Sequence, residues 1–390
     1  MSGLEIVLVL PDPPLPFGNA AGRWYYALLK GLARRGHRVS AFAVCNSEYD
    51  RSKTEELFRS GESDLRLYTQ AASQGLGGKI ESLRRPYGYR YSPELTRDVA
   101  ARVAAGCDVV HLEQLWTGWV GWDFADRALL NIHYLFEIDL AEAPVSSIKD
   151  GVLRRATGRA ERRLLRHFPV ISTLTPRLTD RVKQLAPRAR VETVPLGIDL
   201  SPYRFQEREL HDPPTVALIG SFDWYPTLSG ARRLLDRLWP GIKRRVPEAR
   251  LLLVGRSARS QLAPYLDLPD VEIYENVPDI LPYFEATDVM LYAPARGSGM
   301  KVKVLEAFAL GIPVVTTSEG VEGIAADDGV HAGVADDDHG LVERAVGLLQ
   351  DRAAWQAMRS AARPLVERAC DPEQSLDLVD RCYESIWSQR

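Results

Sequence analysis

What most constrains this chain is an alternation that runs its length and starts again halfway: short apolar runs of strand length, each followed by a stretch of helical period. Strands separated by helices must cross over and pair in parallel, so the pattern predicts βαβ units and parallel sheets. In the first half the runs are residues 5–10, 37–44, 108–111, 129–133, 170–173 and 191–195, with a helix predicted over 20–34 that stops at Gly36. Between residues 197 and 214 Gly, Pro and charged residues gather and the period lapses, which marks a linker. Runs at 215–220, 250–255, 271–274, 289–292 and 312–316 follow, with a helix predicted over 232–245 and an almost wholly helical tail from 341 to 387. At 390 residues the chain exceeds what one core organises. The prediction is therefore α/β: two Rossmann-like, doubly wound domains over 1–198 and 199–370, with a last helix in 371–390 packing back on the first. Such sheets take ligands beyond the carboxyl ends of their strands, so the chemistry is expected in an interdomain cleft that both sheets face.

Composition removes several function classes. A net charge of -3 offers no attraction for nucleic acid, whose binders concentrate basic charge on one face. No run of about 18 apolar residues occurs, and the opening Met1-Ser-Gly-Leu-Glu5 lacks a signal peptide's basic start and apolar core, so the chain reads as cytoplasmic. Cys45, Cys107, Cys370 and Cys382 are scattered without a CxxC pair, which disfavours zinc and disulfides and predicts free buried thiols. Asp336, Asp337 and Asp338 precede a predicted helix and read as solvated and helix-start acids; no metal is expected.

One stretch carries chemistry: Gly297-Ser-Gly-Met-Lys-Val-Lys-Val-Leu-Glu306-Ala-Phe-Ala-Leu-Gly-Ile-Pro-Val-Val-Thr316. Glycines allow close backbone approach, the first amides of a helix are unpaired, and its dipole favours an anion there. With Lys301 and Lys303 beside them, those amides suit phosphate. Side chains two apart on a helix diverge, so one lysine is expected to reach the phosphates, and Lys301, nearer the helix start, is preferred. The apolar residues after Glu306 predict a buried helix, and a buried carboxylate needs partners such as the vicinal hydroxyls of a sugar. Phosphate next to a diol describes a nucleotide. The plainer alternative is a glycine turn capping an ordinary core helix whose lysines are solvated.

Taken in order, Val9-Leu10 with Gly18, Gly36-His-Arg-Val39, Val194-Pro-Leu-Gly-Ile-Asp199, Leu253-Val-Gly255, Ala286-Thr-Asp288 and the 297–316 stretch resemble the retaining nucleotide-sugar glycosyltransferases of the GT-B fold, the family 4-like or group 1 enzymes. The resemblance covers nearly the whole chain. It implies transfer of a sugar, with retention, from a nucleoside diphosphate donor on the second domain to a hydroxyl acceptor on the first, without metal or cofactor. It also implies an E-x7-E element whose first Glu contacts the donor sugar and whose second, matched by Glu306, reads the ribose. Ser298 stands where the first Glu would be, shorter and uncharged. A second departure lies in Gly220-Ser-Phe-Asp-Trp-Tyr-Pro226, which lacks the Arg and Lys that this family places there to grip the diphosphate. The implied donor site comprises Gly220, Ser221, Arg256, Asn276, Val277, Ser298, Gly299, Met300, Lys301, Val302, Lys303 and Glu306, with His133, Lys301 and Glu306 as the catalytic set.

His133 resembles the histidine that the family keeps near acceptor and transferring sugar, and a neutral imidazole suits acceptor activation; a structural strand-end histidine is the alternative, and His111 is a weaker candidate of the same kind. Gly18 and Asn19 form the loop expected to approach the diphosphate or acceptor, with Asn19 equally readable as an N-cap. The basic helix over 152–167 is by default a solvated face, but it also suits peripheral contact with anionic lipid at the inner membrane face. Arg84 to Tyr91 mixes guanidinium groups with rings that suit a sugar acceptor. Two rivals remain: an epimerase of the same fold acting on the nucleotide sugar alone, and a non-catalytic subunit that binds it.

Overall fold

Glu5–Leu10 is buried except at its first residue, and an unbroken apolar strand of that kind belongs in the middle of a sheet covered on both faces. In the computed structural model, which describes residues 3–59, 64–71, 75–294 and 296–388, it does lie there. The first sheet is wholly parallel, in the order β3-β2-β1-β4-β5-β6-β7. Its strands are β1 (Glu5–Leu10), β2 (Arg38–Val44), β3 (Asp64–Tyr68), β4 (Val109–Glu113), β5 (Ala128–Ile132), β6 (Val170–Thr173) and β7 (Arg190–Thr193). The second, also parallel, runs β10-β9-β8-β11-β12-β13. It is built from β8 (Thr215–Ile219), β9 (Arg250–Gly255), β10 (Val271–Glu275), β11 (Val289–Tyr292), β12 (Val314–Thr316) and β13 (Gly333–Val334). In each sheet the order reverses once, between β1 and β4 and between β8 and β11, and at such switch points the diverging loops leave a crevice.

Each sheet belongs to one compact unit. The first contains the chain up to Phe136, Pro144–Asp199 and the segment from Cys370 onward; the second contains Glu137–Ala143 and Leu200–Ala369. The final helix, Pro372–Trp387, lies on the helix Ala20–Arg34: a Cβ on Gly31 would sit 2.2 Å from Leu376 Cδ1. Arg35 ties the two helices together through Glu373, Asp377 and Asp380.

The doubly wound architecture expected from the alternation is present, with three local differences. Strands β3 and β13 add to those expected; both sit at sheet edges, where half-exposed or very short strands leave little hydrophobic signal. Helical backbone begins at Tyr225, ahead of the expected 232, because Pro226 suits a first turn; it then widens to a π turn over Leu234–Leu238 before Pro240, whose missing N–H breaks the ordinary ladder. The last expected strand starts at Val314, after Pro313. All four cysteines are free and buried.

Candidate functional site

In the second unit three strand ends meet in the backbone. Gly220 N donates to Val254 O, Phe222 N to Arg256 O, and Asn276 N to Gly255 O. Gly255 has φ +150, and a Cβ there would fall 1.7 Å from Gly220 O, so only glycine lets β8 and β9 come this close. Gly220, Ser221, Arg256 and Asn276 thus share one edge, and Val277 follows directly.

Lys303 reaches the same edge from the helix Val302–Leu310. A Cβ on Gly220 would lie 2.6 Å from Lys303 Cε, its Nζ donates to Thr227 Oγ1 at 2.9 Å, and the ammonium stands 4.3 Å from the centre of the Tyr292 ring. Among the described residues no carboxylate lies within ion-pair distance of it. Burial, helped by the neighbouring charge of Lys301, pushes its ammonium down to about 8.

Lys301 is the more deeply buried of the two and differently engaged: Nζ donates to Gly299 O at 2.5 Å and lies 3.4 Å from Glu322 Oε2. The sequence ranks Lys301 above Lys303 as the phosphate ligand; in the fold Lys301 has a carboxylate beside it and Lys303 has none. Gly299 and Met300 were expected to offer amides of the helix's first turn. They lie before it instead, because Gly299 takes φ +73 and helical geometry begins at Val302 with Lys301 at the cap.

Glu306 is buried one turn into this helix, and its Oε1 accepts the Tyr203 hydroxyl at 2.8 Å. Ser298 is buried too, and both its amide (2.5 Å) and hydroxyl (2.7 Å) donate to Asp139 Oδ1. Burial raises Asp139 to about 6 against the opposing effects of Ser298 and Lys301. A carboxylate from residues 137–143 therefore stands beside the serine, and Glu319 Oε2 accepts from Gly297 N at 3.1 Å on the same loop. Neither Asp139 nor Tyr203 was signalled by sequence, since each arrives from more than 100 residues away along the chain.

In the first unit His133 follows β5, 8 % exposed, with its Nε2 2.8 Å from Glu113 Oε2. Glu113 ends β4, is wholly buried and pairs in register with Asn131. Trp24 Nε1 donates to its Oε1 at 3.0 Å and Asn131 Nδ2 to both oxygens at 3.2 and 3.1 Å; His111 Nε2 lies 3.2 Å from Oε1. Burial alone would raise this carboxyl, but the His111 and His133 imidazoles outweigh it and hold it well below the usual carboxylate range. His111, fully buried, also contacts the Tyr383 hydroxyl at 2.7 Å through Nδ1 and so sits inside the core. Asn19 caps the helix Ala20–Arg34, accepting from Gly22 N at 2.7 Å, and Gly18 before it is exposed with φ +81.

Of the remaining sequence signals, Asp337 caps the helix Asp338–Gln350, Asp338 pairs with Arg233 and Arg237, and Asp336 accepts from Ser318. Tyr89, Tyr91, Arg85 and Trp119 help line a cavity of about 480 Å³ in the first unit. Arg155, Arg159, Arg162, Arg163 and Arg166 are exposed along the helix Ile148–His167, and no helix among the described residues is long and apolar enough to cross a membrane.

Residues 20–197 match the model of the glycosyl transferase 4-like domain, and residues 213–351 that of the glycosyl transferases group 1. No curated protein matches the chain in sequence. Among solved structures it is similar to sucrose-phosphate synthase from Thermosynechococcus elongatus, at 18 % identity and TM-score 0.73, covering 99 % of this chain and 100 % of that one. HepE of Anabaena in complex with UDP-glucose is similar at 14 % identity and TM-score 0.68, covering 98 % and 100 %. WaaG, a glycosyltransferase involved in lipopolysaccharide biosynthesis, gives 16 % and 0.63 over 96 % and 99 %. At such identities these likenesses establish the fold.

Proposed function

Because the chain belongs to the glycosyltransferases of the GT-B fold, with a 4-like domain followed by a group 1 domain, we propose that it moves a sugar from a nucleoside diphosphate donor to a hydroxyl acceptor with retention at the anomeric carbon. The observation that carries this reading is Lys303: a partly buried ammonium without a carboxylate in ion-pair range among the described residues, set against Gly220 at the carboxyl edge of the second sheet. A partly desolvated cation of that kind gains when an anion arrives, and a diphosphate is an anion that the adjoining glycine backbone can approach. That HepE of the same fold has been crystallised with UDP-glucose supports a nucleotide sugar as the donor.

In the proposed reaction the bond from the anomeric carbon to the diphosphate oxygen breaks, and a bond to the acceptor oxygen forms on the same face. The acceptor proton passes to the departing phosphate. Lys303, Lys301 and the Gly299 and Met300 amides stabilise the charge that develops on that phosphate, so ammonium and amide groups do the neutralising and no metal is invoked. Glu306, with Tyr203 behind it, reads the ribose, and Asp139 with Ser298 offers hydrogen-bond acceptors to the donor sugar. His133 of the first unit holds the acceptor hydroxyl.

The reading extends to an anionic lipid surface as the place of work, on the cytoplasmic side. On the helix Ile148–His167, Ile148 is 89 % exposed, Val152 and Leu153 are exposed, and the exposed arginines continue the same surface, a pairing of apolar and basic groups suited to a headgroup layer. Sedimentation with vesicles rich in phosphatidylglycerol, but not with neutral ones, checks it.

The test of the reaction is a thermal-shift series with nucleoside mono- and diphosphates, followed by donor turnover with and without acceptors. A diphosphate is expected to stabilise more than its monophosphate, and an excess of chelator to leave turnover unchanged. Equal shifts from mono- and diphosphate would sink the lysine assignment. Release of an isomerised sugar nucleotide without acceptor would mean an epimerase.

A further inference from the structure

The register of the first sheet sets up a pair that the reaction as proposed does not yet use. Glu113 on β4 is the partner of Asn131 on β5, and side chains two apart on a strand point to the same side, so Asn131 and His133 both turn toward the Glu113 carboxylate. An ionised carboxylate can only accept hydrogen bonds, and the His111 and His133 imidazoles keep Glu113 ionised although it is buried, while Trp24 and Asn131 donate to it as well. Nε2 of His133 must then carry a proton, so in the neutral form of the ring the lone pair is on Nδ1. Among the described residues nothing hydrogen-bonds to Nδ1. The Tyr25 ring stands 6.0 Å from the imidazole, and its hydroxyl is buried without a hydrogen-bond partner. Buried polar atoms are nearly always paired, so an orphaned hydroxyl beside an open imidazole nitrogen marks where a ligand's polar group would be satisfied.

We propose that Glu113 is a positioning residue: it holds the Nε2–H tautomer of His133 and so presents Nδ1 as the acceptor of a hydrogen bond that orients the incoming hydroxyl before transfer, a bond released as that proton passes to the departing phosphate, with Tyr25 Oη as the second contact. This rests on the acceptor-side role given above to His133. A purely structural carboxylate would need only its core donors. Here the carboxylate also fixes the one ring of the cluster that reaches the rim, where His133 is 8 % exposed, whereas His111 is closed off by Tyr383. The choice between the two ring nitrogens is what separates a ring able to accept a hydrogen bond at its open face from one that only offers a hydrogen there.

Nitrogen NMR of the full-length protein with labelled histidine reads the tautomer without any mutation of Glu113, the His133 signal being identified by its loss in His133→Asn. The expected result is a neutral ring protonated at Nε2; a ring protonated at Nδ1 overturns the proposal. Glu113→Gln replaces one accepting oxygen by an NH2 donor, so the His133 ring is expected to switch tautomer. The kcat/KM for acceptor should then fall about 100-fold while the donor KM stays within about twofold. Glu113→Asp should recover part of that loss, and Tyr25→Phe should raise the acceptor KM. If wild type is active and Glu113→Gln keeps both its acceptor kcat/KM and the wild-type tautomer, Glu113 is only structural. If the wild type neither binds nor turns over a nucleotide sugar, the functional reading fails by itself, and the tautomer still decides for or against Glu113.

Discussion

Glu113 in the first unit is a charge taken wholly out of water and Lys303 in the second one taken partly out, and their surroundings differ in kind. Around the carboxylate an indole, an amide and an imidazole all donate, with a second imidazole at 3.2 Å; around the ammonium stand one hydroxyl, one aromatic face and another lysine, with Glu306 offsetting that lysine only in part and no acid in ion-pair range among the described residues. A charge saturated by its neighbours stabilises only while they remain, and removing it leaves them unmatched. An under-compensated charge does the reverse: the fold carries its desolvation cost, and a ligand of opposite sign relieves it. In the function proposed above, the first arrangement serves positioning and the second serves binding.

The comparison breaks most visibly if the two charges respond alike to neutralisation. Glu113→Leu is expected to lower stability by about 3–5 kcal/mol in chemical denaturation, because its donors lose a buried acceptor. Lys303→Met should leave stability unchanged or higher while lowering donor turnover about 100- to 1000-fold; a destabilised Lys303→Met with intact turnover would erase the distinction. The same lysine sets a pH test. Its ammonium lies at about 8, below the ordinary lysine value, so the free protein loses that charge as pH rises through 8. Donor affinity should therefore decline above pH 8 in the wild type and be flat there in Lys303→Met.

Asp139 sharpens the contrast within the second unit. Its carboxyl is raised to about 6 from 3.8, so the folded state holds protons more tightly than the unfolded one between those values, and stability from this group is lost as pH rises through them. Asp139→Asn, whose Oδ1 can still accept from Ser298, should match the wild type near pH 4 and exceed it by about 2 kcal/mol at pH 8, read from melting curves. The smallest effect is expected at Asn19. Asn19→Ala should cost about 1 kcal/mol as a lost helix cap, and a donor or acceptor KM that moves as well would show that the residue touches a ligand.

Much of the fold was legible in the sequence because a strand covered on both faces leaves an unbroken apolar run, as at Glu5–Leu10 and Arg250–Gly255. The edge strand Asp64–Tyr68 left no such run, and the two-residue Gly333–Val334 was too short to leave one. The donor edge was partly legible, since Lys301, Lys303 and Glu306 share one helix and its approach. Their partners were not: Thr227, Tyr203 and Glu322 reach them across 76, 103 and 21 residues of chain, and Asp139 reaches Ser298 across 159. Glu113 was hidden for another reason. A single carboxylate ending an apolar strand has no period and no motif, and only the register with Asn131 shows what it holds.

The return of Pro372–Trp387 to the helix Ala20–Arg34 has a consequence for biosynthesis. A chain emerging from the ribosome as far as Ala369 already contains every segment of the second unit, while the first still lacks the Tyr383 hydroxyl that engages His111 and the leucine that sits on Gly31. The half translated earliest is thus sealed last, and a truncation before residue 370 would injure the opposite end of the polypeptide.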